Sequence, residues 1–336
     1  MTGSATRGLT LDVDFTVQPY ERLALIGHNG CGKTSVLRLI AGLDYATSGT
    51  TIVSGTRPLT ADGLHLPVYD RLTPMTFAEP RLFGHMPVLT NLTFGTGANR
   101  DQALAALTNL GISHLANRPA RELSSGQSAT IAVLRTVFSN SCAVLLDEPF
   151  SALDTAIASA VRATVHGWLE NLAVPMLIAT HNPLDVMTLA THVAIMEQGR
   201  VTQMGPVQEV ARQPRSQFAA QFLGLNLLVA ESAGSAVTHG GLVLTTTTEK
   251  NGTVFVSFPP SAVTLSLEAP TGSARNEWLA TVTSIEQLGS VTRVSLNGTA
   301  TIRADITPAA AIGLRLAVGQ SVWASVKATA IEVYPA

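Results

Sequence analysis

Cysteine, lysine and charged residues in general are scarce in this sequence of 336 residues. The two cysteines, Cys31 and Cys142, do not form a spaced framework, so we expect no disulfide scaffold and a reducing compartment. Charged residues make up only 13% of the chain and the formal net charge is −2, which argues against a nucleic-acid-binding protein. The low charge density also indicates that partners cover part of the surface.

Long apolar segments are also absent, although 46% of the residues are hydrophobic. No run approaches the roughly 18 residues that span a bilayer, and the first residues carry no pattern typical of a secretion signal. We therefore expect a soluble protein. The chain is longer than one ordinary hydrophobic core requires, so we expect two domains.

Lysine is rare enough for its positions to be informative. It occurs only at Lys33, Lys250 and Lys327, while arginine supplies nearly all other positive charges. A lysine kept in such a composition can mark a place where a compact ammonium group is needed. The alternative is a composition bias that left these lysines by chance.

A glycine-rich stretch at residues 27–34 has the pattern G-x-x-x-x-G-K-[ST]. An apolar run at 22–26 predicts a buried strand before it, and apolar residues at helical spacing predict a helix after it that stops at Gly42. In this setting the loop binds phosphate, Lys33 reaches the β- and γ-phosphates, and Thr34 ligates Mg²⁺. We therefore predict a nucleoside triphosphate site. Its residues are Gly27, Asn29, Gly30, Cys31, Gly32, Lys33, Thr34 and Ser35.

Two further apolar runs end in residues suited to phosphate chemistry. Residues 143–146 precede Asp147 and Glu148, and residues 175–180 precede His181. Parallel strands carry such polar ends to one edge of the sheet, where α/β proteins bind ligands. Asp147 is suited to hold Mg²⁺, and Glu148 to polarise an attacking water. Taken singly, the acidic pair could be a solvated turn and the histidine could be structural.

Alternating apolar and polar residues at 9–17 predict a half-buried strand, and residues 44–60 are typical of turns and short strands. We expect helices within residues 87–110, after the sequence Leu-Ser-Ser-Gly-Gln at 123–127, and after Asp154, which is suited to cap a helix. The apolar face of this last helix is predicted to include Ile157, Val161, Val165 and Trp168.

In this order, the motifs resemble those of the ATP-hydrolysing subunit of an ABC transporter, over about residues 9–225. The resemblance implies an α/β P-loop NTPase domain with a helical subdomain at about 79–140, and ATP and Mg²⁺ as cofactors. It implies that Lys33, Glu148 and His181 act in catalysis and that Thr34 and Asp147 bind the metal.

The same resemblance implies a homodimer whose subunits face each other head to tail. Ser124, Gly126 and Gln127 of the signature loop and Asp154 of the D-loop would then belong to the nucleotide sites between the two copies. Further implied partners are a membrane permease and, indirectly, an extracytoplasmic substrate-binding protein, which place the chain at the cytoplasmic face of the membrane. The permease would dock near residues 83–93, although the apolar residues there could equally be ordinary core.

Three features depart from the pattern of this family. Ala78 stands where a glutamine normally contacts Mg²⁺ and the attacking water, and alanine does neither. Ser125 replaces a glycine of the signature loop, and its Cβ restricts backbone approach. No aromatic residue is clearly placed to stack on adenine. These differences could mean slow hydrolysis or substitute contacts.

Beyond about residue 228 the pattern changes to short strands rich in valine and threonine. We predict domains at 1–228 and 229–336, the second being an all-β, OB-like barrel. Turns are expected at residues 240–241, 251–252, 297–298 and 319–320. A dimerising or rigidifying role for this domain is an open alternative.

The second domain resembles the TOBE or mop-type barrels of molybdate and tungstate importers. The resemblance implies an oxyanion site formed by Ser273, Ala274, Arg275, Asn276, Thr307 and Lys327. Such donors without carboxylates suit a desolvated dianion. We therefore expect the chain to power import of an oxyanion, with molybdate or tungstate as the substrate. The alternatives are an ATPase subunit for sugar, iron or polyamine import, and an oxyanion sensor with impaired hydrolysis.

Overall fold

The chain is divided into two compact units, Met1–Val210 and Ala211–Ala336. In the computed structural model the described residues are 2–4, 10–45, 50–61, 63–77, 79–170, 172–270 and 275–336. The sequence had placed the boundary at 228/229. It lies earlier because Ala220 and Leu227 pack in one cluster with Tyr334, whose hydroxyl donates a hydrogen bond of 2.6 Å to the Pro214 carbonyl.

The N-terminal unit consists of a mixed sheet, a small second sheet and surrounding helices. Its strands are β1 (Thr2–Ser4), β2 (Thr10–Asp12), β3 (Arg22–Ile26), β4 (Ile52–Ser54), β5 (Arg57–Ala61), β6 (Leu64–His65), β7 (Val144–Asp147), β8 (Met176–Ala179), β9 (His192–Glu197) and β10 (Arg200–Pro206). Its helices are α1 (Lys33–Ala41), α2 (Val68–Arg71), α3 (Val88–Thr93), α4 (Arg100–Asn109), α5 (Ser125–Val137), α6 (Thr155–Leu169), α7 (Pro183–Leu189) and α8 (Val207–Arg212), which crosses the division.

The main sheet has the strand order β1-β2-β10-β9-β3-β8-β7. Its strands β9, β3, β8 and β7 run parallel, with Leu25 of β3 paired to Ala194 on one side and Ala179 on the other. These strands are buried on both faces, which explains why their sequences are uninterrupted apolar runs. Because they are parallel, β3, β7 and β8 all end at one edge of the sheet, and the predicted site residues follow them directly.

Helix α1 follows β3 as the sequence predicts. Val36, Leu37 and Leu39 are buried against the sheet, and the helix ends at Gly42, which adopts a left-handed φ of 75°. Glycine takes this conformation without steric cost, so the helix stops there. The predicted strand at 22–26 and the predicted end of the helix at Gly42 are both confirmed.

The described part of residues 79–140 contains helices α3, α4 and α5 and two short 3-10 turns, but no strand. Val88 and Leu89 are 0% and 5% exposed, so these two apolar residues are core rather than docking surface. Asn91 is fully buried, and its carboxamide bonds to both the backbone N–H and the carbonyl of Phe83. This side chain fixes the loop that precedes α3.

The predicted apolar face of α6 is partly wrong. Ile157 is exposed, and Trp168 is only half-buried. The buried face is instead formed by Ala158, Val161, Arg162, Val165 and Leu169. The buried face differs from the predicted one because it includes a charged residue, Arg162, which is buried in an ion pair with Asp185 of α7.

The C-terminal unit is built of β-strands around one apolar core. Its elements are α9 (Gln217–Phe222), β11 (Asn226–His239), β12 (Leu242–Phe258), β13 (Val263–Ser266), β14 (Asn276–Leu288), β15 (Val291–Gly298), β16 (Ile302–Ile306), α10 (Pro308–Gly313), β17 (Ser321–Val326) and β18 (Glu332–Pro335). The strands form a sheet in the order β11-β12-β18 and a sheet in the order β13-β17-β14-β15-β16. One cluster of buried residues extends over both sheets. The predicted β-rich second domain is confirmed.

Two details of this unit differ from the prediction. Strands β11, β12 and β14 are long rather than short, and the expected turn at 251–252 lies inside β12, where Gly252 pairs with Ser232. A shift in the pairing of β11 with β12 between Gly234 and Ala236 places extra residues in β12 without ending the strand. The hairpin at 240–241 is present. Among the described residues, no helix is both long and apolar enough to cross a bilayer.

Candidate active site

The loop between β3 and α1 requires glycine for two different reasons. At Gly27 a Cβ atom would lie 2.2 Å from the Met196 carbonyl oxygen, so the close approach of strand β9 excludes any side chain. Gly30 and Gly32 adopt left-handed φ values of 81° and 109°. The glycines that define the sequence pattern are thus demanded by backbone geometry.

Lys33 is buried at the centre of this loop. Its ammonium group donates to the carbonyl oxygens of Gly27 at 2.7 Å and His28 at 3.2 Å, and the residue is 7% exposed. Among the described residues its hydrogen-bond acceptors are neutral, and the Asp147 carboxylate interacts with it only electrostatically. The positive charge is therefore held inside the phosphate-binding loop by neutral acceptors, and it is suited to contact a bound polyphosphate. Around it, Asn29 and Thr34 are exposed, Cys31 is buried and Ser35 is half-buried.

Thr34 and Asp147 form the predicted metal-binding pair. The Thr34 hydroxyl donates to Asp147 Oδ1 at 3.0 Å, and the Asp147 N–H donates to Thr76 Oγ1 at 2.7 Å. Burial raises the pKa of the Asp147 carboxyl, and the hydrogen bond from Thr34 opposes that rise. Paired hard oxygen atoms at the mouth of a phosphate loop fit Mg²⁺, which usually keeps waters and phosphate oxygens as its other ligands. Among the described residues, no cluster of three or more histidine, cysteine or acidic side chains could hold a metal by itself.

Glu148 and His181 meet across the ends of β7 and β8. His181 Nδ1 lies 2.8 Å from Glu148 Oε2. Glu148 has a left-handed φ of 45°, and its N–H donates to the Ala179 carbonyl at 2.9 Å. A non-glycine residue in this region of φ is strained and is held there by its surroundings. The sequence predicted both residues for this edge, and the structure brings their side chains together.

The signature-loop residues lie at the N-terminus of α5. Ser124 and Gln127 form a reciprocal capping box, with Gln127 N–H donating to Ser124 Oγ at 3.3 Å and Ser124 N–H donating to Gln127 Oε1 at 3.0 Å. Ser125 is the first residue of the helix and is exposed. Gly126 packs beside Leu153, so the signature loop lies next to the D-loop.

Asp154 caps α6 as predicted, because the Ile157 N–H donates to its Oδ1 at 2.9 Å. Its expected contribution to a nucleotide site stays a prediction. Ala78, where the sequence departs from the family pattern, lies outside the described residues.

The structure describes four of the six residues predicted to form the oxyanion site, Arg275, Asn276, Thr307 and Lys327. Asn276 is fully buried, and its carboxamide accepts from the Thr245 N–H at 2.6 Å and donates to the Thr245 carbonyl at 3.0 Å. These bonds imitate a strand pairing and give Asn276 a structural role. Thr307 caps α10 through the Ala310 N–H, and it follows β16, whose Ile306 pairs with Thr292.

The strand register gives the positions of these residues in the sheet, in which β16 neighbours β15 and also contacts β13, the second partner of β17. Thr292 in turn pairs with Gln287, near the opposite end of β14 from Asn276. Arg275 and Lys327 are exposed, and Lys327 directly follows Val326, the partner of Asn276. Ser273 and Ala274 lie outside the described residues.

Four residues that matter to this site were missed by sequence reasoning: Thr76, Arg162, Thr180 and Asp185. Thr76 supports Asp147, and the other three are linked by hydrogen bonds behind His181. One signal was present, because Arg162 falls on the apolar face of a helix, where a charge requires a buried partner.

Comparison with known proteins agrees with this geometry. The sequence family described as "ABC transporter" matches residues 10–151, and the TOBE domain family matches residues 272–333. The fold is similar to a solved nucleotide-free ATP-binding cassette from an ABC transporter, with a TM-score of 0.53, 23% identity, and coverage of 64% of this chain and 94% of that one.

Relatives with curated descriptions cover nearly the whole chain. The molybdenum import ATP-binding protein ModC of Mycobacterium tuberculosis is 34% identical, over 97% of this chain and 94% of the relative. The molybdate/tungstate import ATP-binding protein WtpC of Pyrococcus abyssi is 32% identical, over 96% and 95%. Relatives named for iron(III) and spermidine/putrescine import are also similar, with lower coverage. The chain therefore belongs to the ABC transporter family, as the ATPase subunit of an importer.

Proposed function

We propose that ATP is bound and hydrolysed at a composite site between two copies of this chain. The observation that carries the proposal is the contact of His181 Nδ1 with Glu148 Oε2 at the same sheet edge as Lys33, Thr34 and Asp147. These side chains supply a positive charge, a metal-binding pair and a carboxylate base. They come from three neighbouring strand ends, as expected for chemistry at the edge of a parallel sheet.

The second copy would supply Ser124, Gly126 and Gln127. In one copy the capping box uses Ser124 Oγ as an acceptor, which leaves its hydroxyl hydrogen available as a donor. The N-terminus of α5, a helix of 13 residues, adds partial positive charge that favours a phosphate. Ser125, which replaces a glycine of the family pattern, is the first residue of α5. A residue with helical backbone angles does not require glycine, so serine fits this position.

Each side chain has a distinct task in this proposal. Lys33 binds the β- and γ-phosphates, and Thr34 and Asp147 would hold Mg²⁺, which supplies neutralising charge when bound. Glu148 accepts a proton from the attacking water, and His181 holds the Glu148 carboxylate in position while contacting the γ-phosphate. No glutamine is required at position 78 for the proton transfer itself, because Glu148 is the base.

We further propose molybdate or tungstate as the imported substrate. The support is the near-complete coverage of relatives named for these oxyanions, whereas the iron(III) relative of Pectobacterium atrosepticum covers 86% of this chain and the spermidine/putrescine relative of Trichormus variabilis covers 77%. In this function the chain would work at the cytoplasmic face of the membrane, with a permease and an extracytoplasmic binding protein as partners. The barrel need not bind the substrate.

In this proposal the permease docks near the α3 region. Phe94 is 54% exposed and packs edge-on against Phe83, over whose ring the Arg135 guanidinium lies at 4.3 Å. The exposed Phe94 ring, supported by the half-buried Phe83, offers an apolar surface that suits insertion of a helix from a membrane protein.

The test is phosphate release by the purified chain, with Glu148→Gln as the matched control. We expect wild-type activity to exceed that of the variant by about 100-fold or more. Equal rates, with the permease present, would overturn the ATPase proposal and favour a non-catalytic sensor. For the substrate, ATP-dependent uptake of molybdate, iron(III) and spermidine into vesicles carrying the assembled transporter separates the alternatives.

A further inference from the structure

A buried network lies behind the Glu148–His181 contact. Arg162 Nε of α6 donates to Asp185 Oδ1 at 2.6 Å, and the Thr180 hydroxyl donates to Asp185 Oδ2. The Asn182 N–H then donates to Thr180 Oγ1 at 3.0 Å. Arg162, Thr180 and Asp185 are 5%, 0% and 2% exposed, so water does not compete for these bonds.

This network closes the backbone around His181. Thr180 precedes His181 and Asn182 follows it, so the hydrogen bond from Asn182 N–H to the Thr180 hydroxyl makes a tight turn with His181 at its apex. Asp185 orients that hydroxyl by accepting a hydrogen bond from it. The direction of the His181 side chain therefore depends on the Asp185 carboxylate, which Arg162 holds in place.

Arg162 also contacts the loop that carries Glu148. Its guanidinium carbon lies 5.0 Å from the centroid of the Phe150 ring, and Phe150 is 4% exposed. In the same loop the Ser151 hydroxyl donates to the Glu148 carbonyl at 2.9 Å. Arg162 thus contacts both the loop that carries Glu148 and, through Asp185, the turn that carries His181.

The cost of burying the Arg162–Asp185 ion pair favours a role for it beyond stabilising the fold. A buried ion pair pays a large desolvation cost, and apolar residues of similar volume are often as stable. The strained φ of 45° at Glu148 also has to be maintained by the surrounding structure. A network that contacts the loops carrying Glu148 and His181 would help to maintain the strained backbone of Glu148. It would also keep the Glu148 and His181 side chains at a fixed separation, which gives a reason for the costly buried ion pair.

We propose that Arg162, Asp185 and Thr180 are positioning residues for hydrolysis, and that they act by fixing His181 against Glu148. The proposal rests on the proposed ATPase site. It assigns these residues no contact with nucleotide. Their effect should therefore fall on turnover and should disappear when His181 is absent.

The test uses the full-length chain with Thr180→Val, which keeps the shape of the side chain and removes the hydroxyl, and Thr180→Ser, which keeps the hydroxyl. We expect Thr180→Val to lower kcat by about 10- to 100-fold with KM for ATP within about twofold, and Thr180→Ser to remain close to wild type. In a His181→Ala background, Thr180→Val should change kcat by less than about twofold, because the residue it positions is gone.

Two results would overturn the inference. One is an unchanged kcat for Thr180→Val; the other is an equal loss in the wild-type and His181→Ala backgrounds, which would indicate general destabilisation. Asp185→Asn serves as a second variant if Thr180→Val does not fold, and the same dependence on His181 is expected. Wild-type activity equal to that of Glu148→Gln would instead reject the ATPase site itself, and this inference with it.

Discussion

His181 Nδ1 lies 2.8 Å from Glu148 Oε2, although the two residues end different strands and are separated by helix α6. The His181 side chain is 64% exposed, and that of Glu148 is 28% exposed. The pair is therefore open on one side, as the proposed composite site requires. Its other side is closed by the buried network of Arg162, Asp185 and Thr180.

His181→Ala should lower ATP hydrolysis by about 100-fold with little effect on stability. Misplacing a catalytic group by about 1 Å can lower the rate by about 100-fold, whereas substitution of an exposed residue changes the free energy of unfolding by about 0.5 kcal/mol or less. Steady-state phosphate release and thermal unfolding of the same preparation would test this. Leu184→Ala, an exposed change on the following helix, is the control. A large fall in Tm for His181→Ala would contradict the prediction.

Asp147→Asn should stabilise the nucleotide-free protein while abolishing Mg²⁺-dependent hydrolysis. Because burial raises the Asp147 pKa in the folded chain, the native state binds more protons than the unfolded state just above the ordinary carboxyl pKa, and stability falls as pH rises through that window. Asparagine removes the buried charge at neutral pH. We expect a higher Tm than wild type at pH 7.5 and a smaller or no difference at pH 4.

The measurement is thermal unfolding without nucleotide, followed by Mg²⁺ titration in the presence of ATP. Thr34→Val is a useful comparison, because it removes the hydrogen bond that stabilises the charged Asp147 carboxylate. We expect this variant to have a lower Tm than wild type at pH 7.5. A lower Tm for Asp147→Asn at pH 7.5 would show that the charge is stabilising.

Arg71→Met should destabilise the N-terminal unit strongly. Arg71 is 0% exposed, and its guanidinium donates to the carbonyls of Leu39 and Ile40, at the C-terminus of α1, and to that of Leu66. Burial lowers the Arg71 pKa. Removal leaves the Ile40 and Leu66 carbonyls without the Arg71 donor and the Leu39 carbonyl with the Gly42 N–H alone, at a cost of about 2–5 kcal/mol in the free energy of unfolding.

Arg38→Met is the matched control for Arg71→Met. Arg38 lies on α1, the helix whose C-terminal carbonyls Arg71 contacts, and it pairs with Asp44 at 2.8 Å, but its side chain is 36% exposed. We expect it to cost about 1 kcal/mol or less, since exposed ion pairs contribute little. Denaturant unfolding of both variants measures the difference, and equal losses would refute the special role of Arg71.

Tyr334→Phe should loosen the attachment of residues 211–228 to the C-terminal strands. The buried hydroxyl donates to the Pro214 carbonyl, and its loss should cost about 0.5–1.5 kcal/mol. Burial raises the Tyr334 pKa to about 12, above the ordinary value of 10.0. The folded state keeps the proton longer than the unfolded state, so this contribution is complete below pH 10 and is lost as pH rises toward 12.

Unfolding curves from pH 8 to pH 12 would check the Tyr334 prediction. The stability difference between wild type and Tyr334→Phe should be constant up to pH 10 and should shrink above it. Tyr20→Phe, an exposed tyrosine in the N-terminal unit, should show neither effect. A difference that grows with pH would contradict the assignment of the raised pKa to burial.

Local sequence determined much of the nucleotide site. The glycines, Lys33 and Thr34 are set by the backbone conformation of one loop, and a strand before it and a helix after it were visible in the apolar pattern. The apolar runs before Asp147 and His181 indicated buried parallel strands, whose ends meet at one edge for reasons of topology alone. Short-range pattern was sufficient because each of these features is built from consecutive residues.

Other parts of the prediction failed because they depended on distant residues. The boundary at 228/229 missed the packing of residues 211–228 on Tyr334, and the α6 face missed the ion pair from α7. The sequence also did not predict that Thr245, a residue of another strand, bonds to the Asn276 carboxamide; oxyanion binding by this region stays a prediction. Sequence spacing carries no information about such partners, since they meet only when the sheets pack.

The amino-acid sequence by itself thus determined the phosphate loop, the parallel strands and the identity of the acidic pair and the histidine at their ends. Only the tertiary structure decided that His181 faces Glu148, because the direction of each side chain is fixed by a strained backbone at Glu148 and by a buried charge on Arg162. A strand end specifies where a residue lies, but the hydrogen bonds behind it determine where its side chain points.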